Sequence, residues 1–333
     1  MNNLIRLAGV CAAILLMATN TVSAKTVLRI ASTTALEMPA DQGLQYFARI
    51  VKERTNGEVE IQPFPNSQLG GEQDILEGVL LGSIDMFEGS TGGLGRFLAD
   101  LDALTCPFIW DSNDHILKVV RGDIGKELSE KLLELRGLRV LDMGWLFGRR
   151  ELTTKGHEVR TPADMKGLKI RVQPNPIYMA TIRTMGGSPT PMPIAEVYTA
   201  LETGVIDGQE NPANNIVKRS FHEVQDYVSL TGHIIQSQAV VINESVFQSL
   251  SEENQKILLQ AAVDAGDWQN GLVDKSREQA LKTIESGGTK VVEPDVKAFQ
   301  EATKDACRDP KILEKWSEGF LDRLLAARDA ARE

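Results

Sequence analysis

The sequence predicts an α/β protein with two lobes and a helix long enough to lie across both. Three observations point there. Strand-period and helix-period segments alternate from residue 27 onward, in the β-α-β rhythm of a parallel sheet with helices packed on it. That rhythm restarts after Gly148. From Ser251 an amphipathic pattern then runs unbroken to about residue 286, with Gly287-Gly288 as its stop. A chain of 333 residues is ample for two lobes, each with its own core.

The elements follow in order. Residues 27–31 read as a strand. Residues 40–53 read as a helix with Leu44, Phe47, Ala48 and Val51 on one stripe, stopped by Asn56-Gly57. A strand over 59–63, a helix over 72–81 and an extended segment over 84–87 complete the first unit, and 137–143 is a further strand. After Gly148 come a strand over 168–172, a helix over 177–185 and another over 195–202 ending at Gly204. Ser251 is the expected N-cap of the long helix.

The first 24 residues stand apart. Arg6, a short apolar stretch over 7–17 and Val22-Ser23-Ala24 have the pattern of a secretory signal, so export with cleavage after Ala24 is expected. The apolar stretch is too short to span a bilayer stably. Cys11 does not read as a lipoprotein site, because Val10 precedes it where a small residue is wanted. Cys106 and Cys307 remain, and an exported compartment permits a disulfide between them. Two separately buried thiols fit the sequence equally well.

Acidic residues outnumber basic ones, 46 to 36. The basic tract that nucleic acid or anionic lipid needs is absent, so no nucleic-acid partner is expected. An acidic protein that binds an anion must use a few local arginines. In the 168–172 strand, Leu168, Ile170 and Val172 alternate with Lys169 and Arg171, and the strand then breaks into Gln173-Pro174-Asn175-Pro176. Arg171 thus stands at a strand end, where a planar guanidinium fork matches two carboxylate oxygens. Period alone leaves it open whether Arg171 faces a cleft or water. Arg149 and Arg150 form a second arginine site, although the pattern fits a solvated strand residue at either position as well.

Signals for catalysis are weak. His115, His157, His222 and His233 show no metal-site spacing, and no serine nucleophile elbow occurs. The glycine-rich 89–95 segment lacks the Lys-Ser/Thr of a phosphate loop and reads as a flexible turn or a ligand-facing loop. No cofactor is expected. Asp207-Gly208-Gln209-Glu210-Asn211-Pro212 is the most distinctive stretch, a turn followed by adjacent side chains with strong hydrogen-bonding capacity.

Four motifs in series carry a resemblance: Phe64-Pro65-Asn66-Ser67-Gln68-Leu69-Gly70, Gly167-Leu168-Lys169-Ile170-Arg171, Glu196-Val197-Tyr198-Thr199-Ala200-Leu201, and Val205-Ile206 running into the 207–212 stretch. In order and spacing the chain resembles the DctP-type solute-binding proteins of tripartite ATP-independent periplasmic (TRAP) transporters. The resemblance implies a two-lobed periplasmic binding protein with a hinged cleft. It implies a lobe I of 25–148 plus 237–276 and a lobe II of 149–236 plus 277–333. It further implies a small organic acid as ligand, TRAP membrane subunits as partners, no catalysis and a monomer. Arg171 would pair with the ligand carboxylate, Arg150 would assist, and Asn211 would hydrogen-bond the ligand. Glu72, Ser90 and Thr33 would meet its far end. Trp145 before Gly148-x-Arg150, with Pro191-Met192-Pro193, looks like members that bind sugar acids such as glucuronate or galacturonate. Pro174 and Ser90 depart from the sialic-acid-binding pattern. A C4-dicarboxylate is the alternative ligand, although Glu72 has the wrong sign for its second carboxylate. A periplasmic enzyme is the distant alternative, with Glu72 or His233 as base. A ligand-presenting role for a sensor would have the same fold.

Overall fold

The computed structural model describes residues 25–332; the expected signal segment and its cleavage site lie outside them. Among the described residues, nine strands form one mixed sheet: β1 (Thr26–Ser32), β2 (Val59–Phe64), β3 (Met86–Ser90), β4 (Leu138–Thr154), β5 (Lys169–Val172), β6 (Ser188–Pro191), β7 (Gly208–Pro212), β8 (Tyr227–Asn243) and β9 (Lys290–Val292). Their order is β2-β1-β3-β8-β4-β7-β5-β6, with β9 on β8. β1 lies parallel between β2 and β3, and β5 parallel between β6 and β7. These two parallel groups are the cores of the two lobes.

β4 and β8 join them. Each is 17 residues long, and they pair antiparallel from Leu138 opposite Asn243 to Thr154 opposite Tyr227. β3 pairs with the 238–242 end of β8, and β7 with the 150–154 end of β4. Four register shifts interrupt the β4–β8 ladder, at 140/142, 142/145, 146/148 and 150/152. Such bulges bend and twist a strand, so the sheet turns from one lobe to the other without a break in the chain. The sequence reading of a strand over 137–143 caught only the first part of β4.

The long helix Glu252–Ser286 behaves as its length suggests. Leu258, Ala261, Ala262 and Ala265 pack with Leu44, Phe47 and Trp145 in lobe I, and Ala280 and Ile284 pack with Leu201, Ile216 and Val228 in lobe II. Close approach fixes its middle. A Cβ on Gly266 would lie 2.7 Å from Trp145, and one on Gly43 in the facing helix Pro39–Arg54 would lie 2.9 Å from the same ring.

The C-terminal segment divides where the sequence reading kept 277–333 together in lobe II. Phe299 packs with Ile170 and Tyr178 of lobe II. Beyond it, Cys307 is disulfide-bonded to Cys106, and Trp316, Phe320 and Leu324 bury themselves against Leu101, Leu128 and Leu132 of lobe I. The apolar stripe of helix Phe320–Ala330 finds its complement on the lobe I helices rather than on its sequence neighbours.

Candidate functional site

A cavity of about 1000 Å³ lies between the lobes. Lobe I gives it the chain after β1, the start of helix Glu72–Leu80 and the turn after β3; lobe II gives it the ends of β5 and β7. Thr33, Glu72, Ser90, Arg171 and Asn211 all line it.

Arg171 owes its place to strand alternation. Ile170 and Val172 are sealed in the lobe II core, which leaves Arg171 on the opposite side at the strand end. The residue is only 1% exposed. Its Nε and Nη2 donate to the Met192 carbonyl at 3.0 and 2.8 Å, while the buried Nη1 has no partner among the described residues. Burial pushes the guanidinium down to about 9, helped by Arg150 and Arg219 and opposed by Glu210 and Glu72. It stays protonated at neutral pH and presents one open donor at the cavity.

Asn211 is held by its neighbours. Its Nδ2 donates to Gln209 Oε1 at 2.6 Å, and its Oδ1 accepts from Asn215 Nδ2 at 2.8 Å. Across the cavity, Ser90 Oγ accepts from Gly92 N at 3.2 Å. The half-buried Glu72 is pushed up to about 7 by burial, against the pull of Arg171. Its carboxyl packs on the glycine-rich turn: a Cβ on Gly93 would lie 2.6 Å from Glu72 Cδ. Gly92 and Gly93 both line the cavity, so the 89–95 segment is a cavity wall.

Two expected ligand contacts lie elsewhere. Trp145 is a core residue: it meets Phe47 edge-on, its Nε1 donates to the Ala262 carbonyl at 3.0 Å, and it does not line the cavity. Arg150 does not line it either. Its Nε pairs with Glu210 Oε2, its Nη2 donates to Glu210 Oε1 at 2.8 Å, and its Nη1 donates to Gln236 Oε1 at 2.5 Å. Burial works against the Arg150 charge and Glu210 more than offsets it. Arg150 is a neutralised strut beneath the cavity floor. His233 is likewise sealed, bonded to Thr231 Oγ1 at 2.8 Å and facing Glu210, away from the cavity.

Sequence reasoning missed other lining residues. Arg219 stands four residues after Asn215, at helical spacing just past the Asn211-Pro212 turn, and that spacing was the available signal. Asn175 caps helix Pro176–Thr184 through Oδ1, while its Nδ2 crosses to lobe I, donating to the Gly92 carbonyl at 3.0 Å and to Asp102 Oδ1 at 2.6 Å. Asp102 is pushed up to about 7 by burial, against that hydrogen bond.

Comparison with known proteins fits this geometry. The chain is 38% identical over 264 residues to the 2,3-diketo-L-gulonate-binding periplasmic protein YiaO of Escherichia coli K12, spanning 79% of this chain and 80% of that one. A TRAP periplasmic solute-binding protein from Actinobacillus succinogenes 130Z with bound L-galactonate superposes with a TM-score of 0.86 at 30% identity, covering 92% of this chain and all of that one. One from Chromohalobacter salexigens with bound D-glucuronate gives 0.85 at 31% identity, with 91% and 99% covered. The model of the bacterial extracellular solute-binding proteins, family 7, matches residues 30–312, and the chain belongs to that family, the DctP-type solute-binding proteins of TRAP transporters.

Proposed function

We propose that this protein captures a sugar acid such as glucuronate or galacturonate by its carboxylate and delivers it to TRAP membrane subunits. The observation that carries the reading is Arg171: a buried, protonated guanidinium that lines the interlobe cavity with Nη1 unpartnered. A carboxylate there completes the pairing that a buried charge needs. The opposite wall offers hydroxyl partners in Ser90, Thr33 and the half-neutral Glu72, which suits a polyol chain. Relatives named for diketogulonate, galactonate and glucuronate support the same ligand class. The role is binding and handover rather than turnover, and it belongs outside the cytoplasm, as in the periplasmic relatives.

The test is a thermal-shift screen with glucuronate, galacturonate, gluconate, malate and succinate, since a tight ligand raises the melting point by mass action. Sugar acids should stabilise most. Stabilisation by malate or succinate alone would assign a C4-dicarboxylate instead. Arg171→Ala should remove roughly 2–5 kcal/mol of binding, about 30- to several thousand-fold in affinity. Arg171→Lys should fail nearly as badly, because a point charge does not reproduce the fork. Near-native affinity of Arg171→Lys by calorimetry would refute the clamp.

A further inference from the structure

Arg96 and Lys315 also line the cavity but are exposed; Arg219, like Arg171, is drawn into the wall, and among the described residues no carboxylate pairs with it. Neither Arg219 nor Arg171 has a carboxylate oxygen within 4.0 Å among the described residues. The other interior arginines are matched: Arg150 to Glu210, Arg277 to Glu151 and Arg121 to Asp142. Arg219 is half-buried, and burial pushes its guanidinium down to about 10, still protonated at neutral pH.

Its hydrogen bonds give it a second property. Nε donates to Asn215 Oδ1 at 3.3 Å, which ties it through Asn211 to the floor of lobe II. Nη2 donates to the Thr33 carbonyl of lobe I at 2.5 Å. Nη1 has no protein partner among the described residues. One planar group therefore touches both lobes and keeps a donor for the cavity.

We infer that Arg219 is a specificity-determining residue that couples recognition of the ligand's anionic group to lobe closure. The inference rests on the acid-binding reading above. Bringing Thr33 down onto Arg219 moves the guanidinium out of water, which is unfavourable while the charge is unmatched. An anion held between Arg171 and Arg219 removes that penalty in the closed state only. A ligand shifts a two-state equilibrium by its differential affinity for the two states, so an anionic ligand closes the lobes and a neutral analogue of the same shape does not.

The experiment compares D-glucuronate with the neutral D-glucuronamide on wild type, Arg219→Met and Lys218→Met. Affinity is read by calorimetry and closure by the radius of gyration in small-angle scattering. Lys218 is the control, one residue away: its pair with Glu37 also joins the lobes, but at the surface, and it does not line the cavity. Unchanged melting points of the ligand-free variants show that they fold. Arg219→Met should weaken glucuronate by about 30-fold or more and abolish the ligand-induced contraction. Its affinity for glucuronamide should hardly change. Lys218→Met should alter neither by more than about fivefold. Arg219→Met binding glucuronate within about fivefold of wild type overturns the inference, as does an equal loss for acid and amide. If wild type binds glucuronate and Arg171→Lys does not, that result falls on Arg219 alone. If wild type prefers another acid from the screen, the comparison is made with that acid and its amide. If wild type binds none of them, the acid-binding reading itself falls.

Discussion

At the scale of single residues, the arginines divide by what surrounds them rather than by where they stand in the sequence. Arg171 is open on one nitrogen; Arg150, two strands away, is closed on all three. Arg150→Met should therefore act on stability. It strands Glu210 in the interior, and breaking a buried pair from one side costs about 3–5 kcal/mol. The double variant Arg150→Met, Glu210→Leu should recover most of that, and urea denaturation measures both. Trp145→Ala should likewise cost about 3–5 kcal/mol by opening a void between two helices and a strand, with little change in ligand affinity. Sequence alternation placed Arg171 correctly off the core face because β5 is short and regular. The expectations for Trp145 and Arg150 came from the family resemblance instead; alternation could not have placed them, because β4 shifts register four times and each bulge reassigns which side a residue faces. The partner of Arg150 is 60 residues away in sequence, beyond the reach of any periodicity.

At the scale of elements, the well-capped and strongly periodic segments were legible. Helix Pro39–Arg54 and helix Glu252–Ser286 fall within a residue or two of expectation, and Ser251 Oγ accepts from Asn254 N as the expected cap. β8 was not foreseen. Its cavity-facing Gln236 and Gln238 interrupt the apolar run that marks a buried strand. The cysteines illustrate a different limit, since composition permitted a bond and only the packing of the C-terminal segment on lobe I brings them together. The bond closes a loop of 201 residues, and removing a native bridge costs about 2–5 kcal/mol. Cys106→Ser with Cys307→Ser should lower the melting point, and reductant should do the same to wild type while leaving the double variant unaffected. A melting point of wild type indifferent to reductant would contradict this.

For the whole molecule, the two lobes share a sheet, and carboxyls withdrawn from water in and beside the cavity set the response to pH. Glu72, Glu88 and Asp102 are each pushed up to about 7, with burial the leading cause; Ser32 and Thr34 hydrogen bonds moderate it at Glu88. Groups whose folded values are raised contribute stability that is complete below their unfolded values and lost as pH rises through the folded ones. The ligand-free protein should thus melt progressively earlier between about pH 5 and about pH 8. Exposed carboxylates held low by lysines and arginines, such as Glu37 and Glu158, titrate below that window. Glu88→Gln should flatten the profile; an unchanged slope would remove Glu88 from the account. The division of the C-terminal segment has a further consequence, for the order of events during synthesis. Domains generally fold as they emerge, N-terminal first. Here the lobe that begins the chain borrows Trp316, Phe320 and Leu324 for its core. The lobe I helices that carry Leu101, Leu128 and Leu132 must wait, incomplete, while the whole second lobe is made, so a part of the protein that appears early is among the last to finish folding.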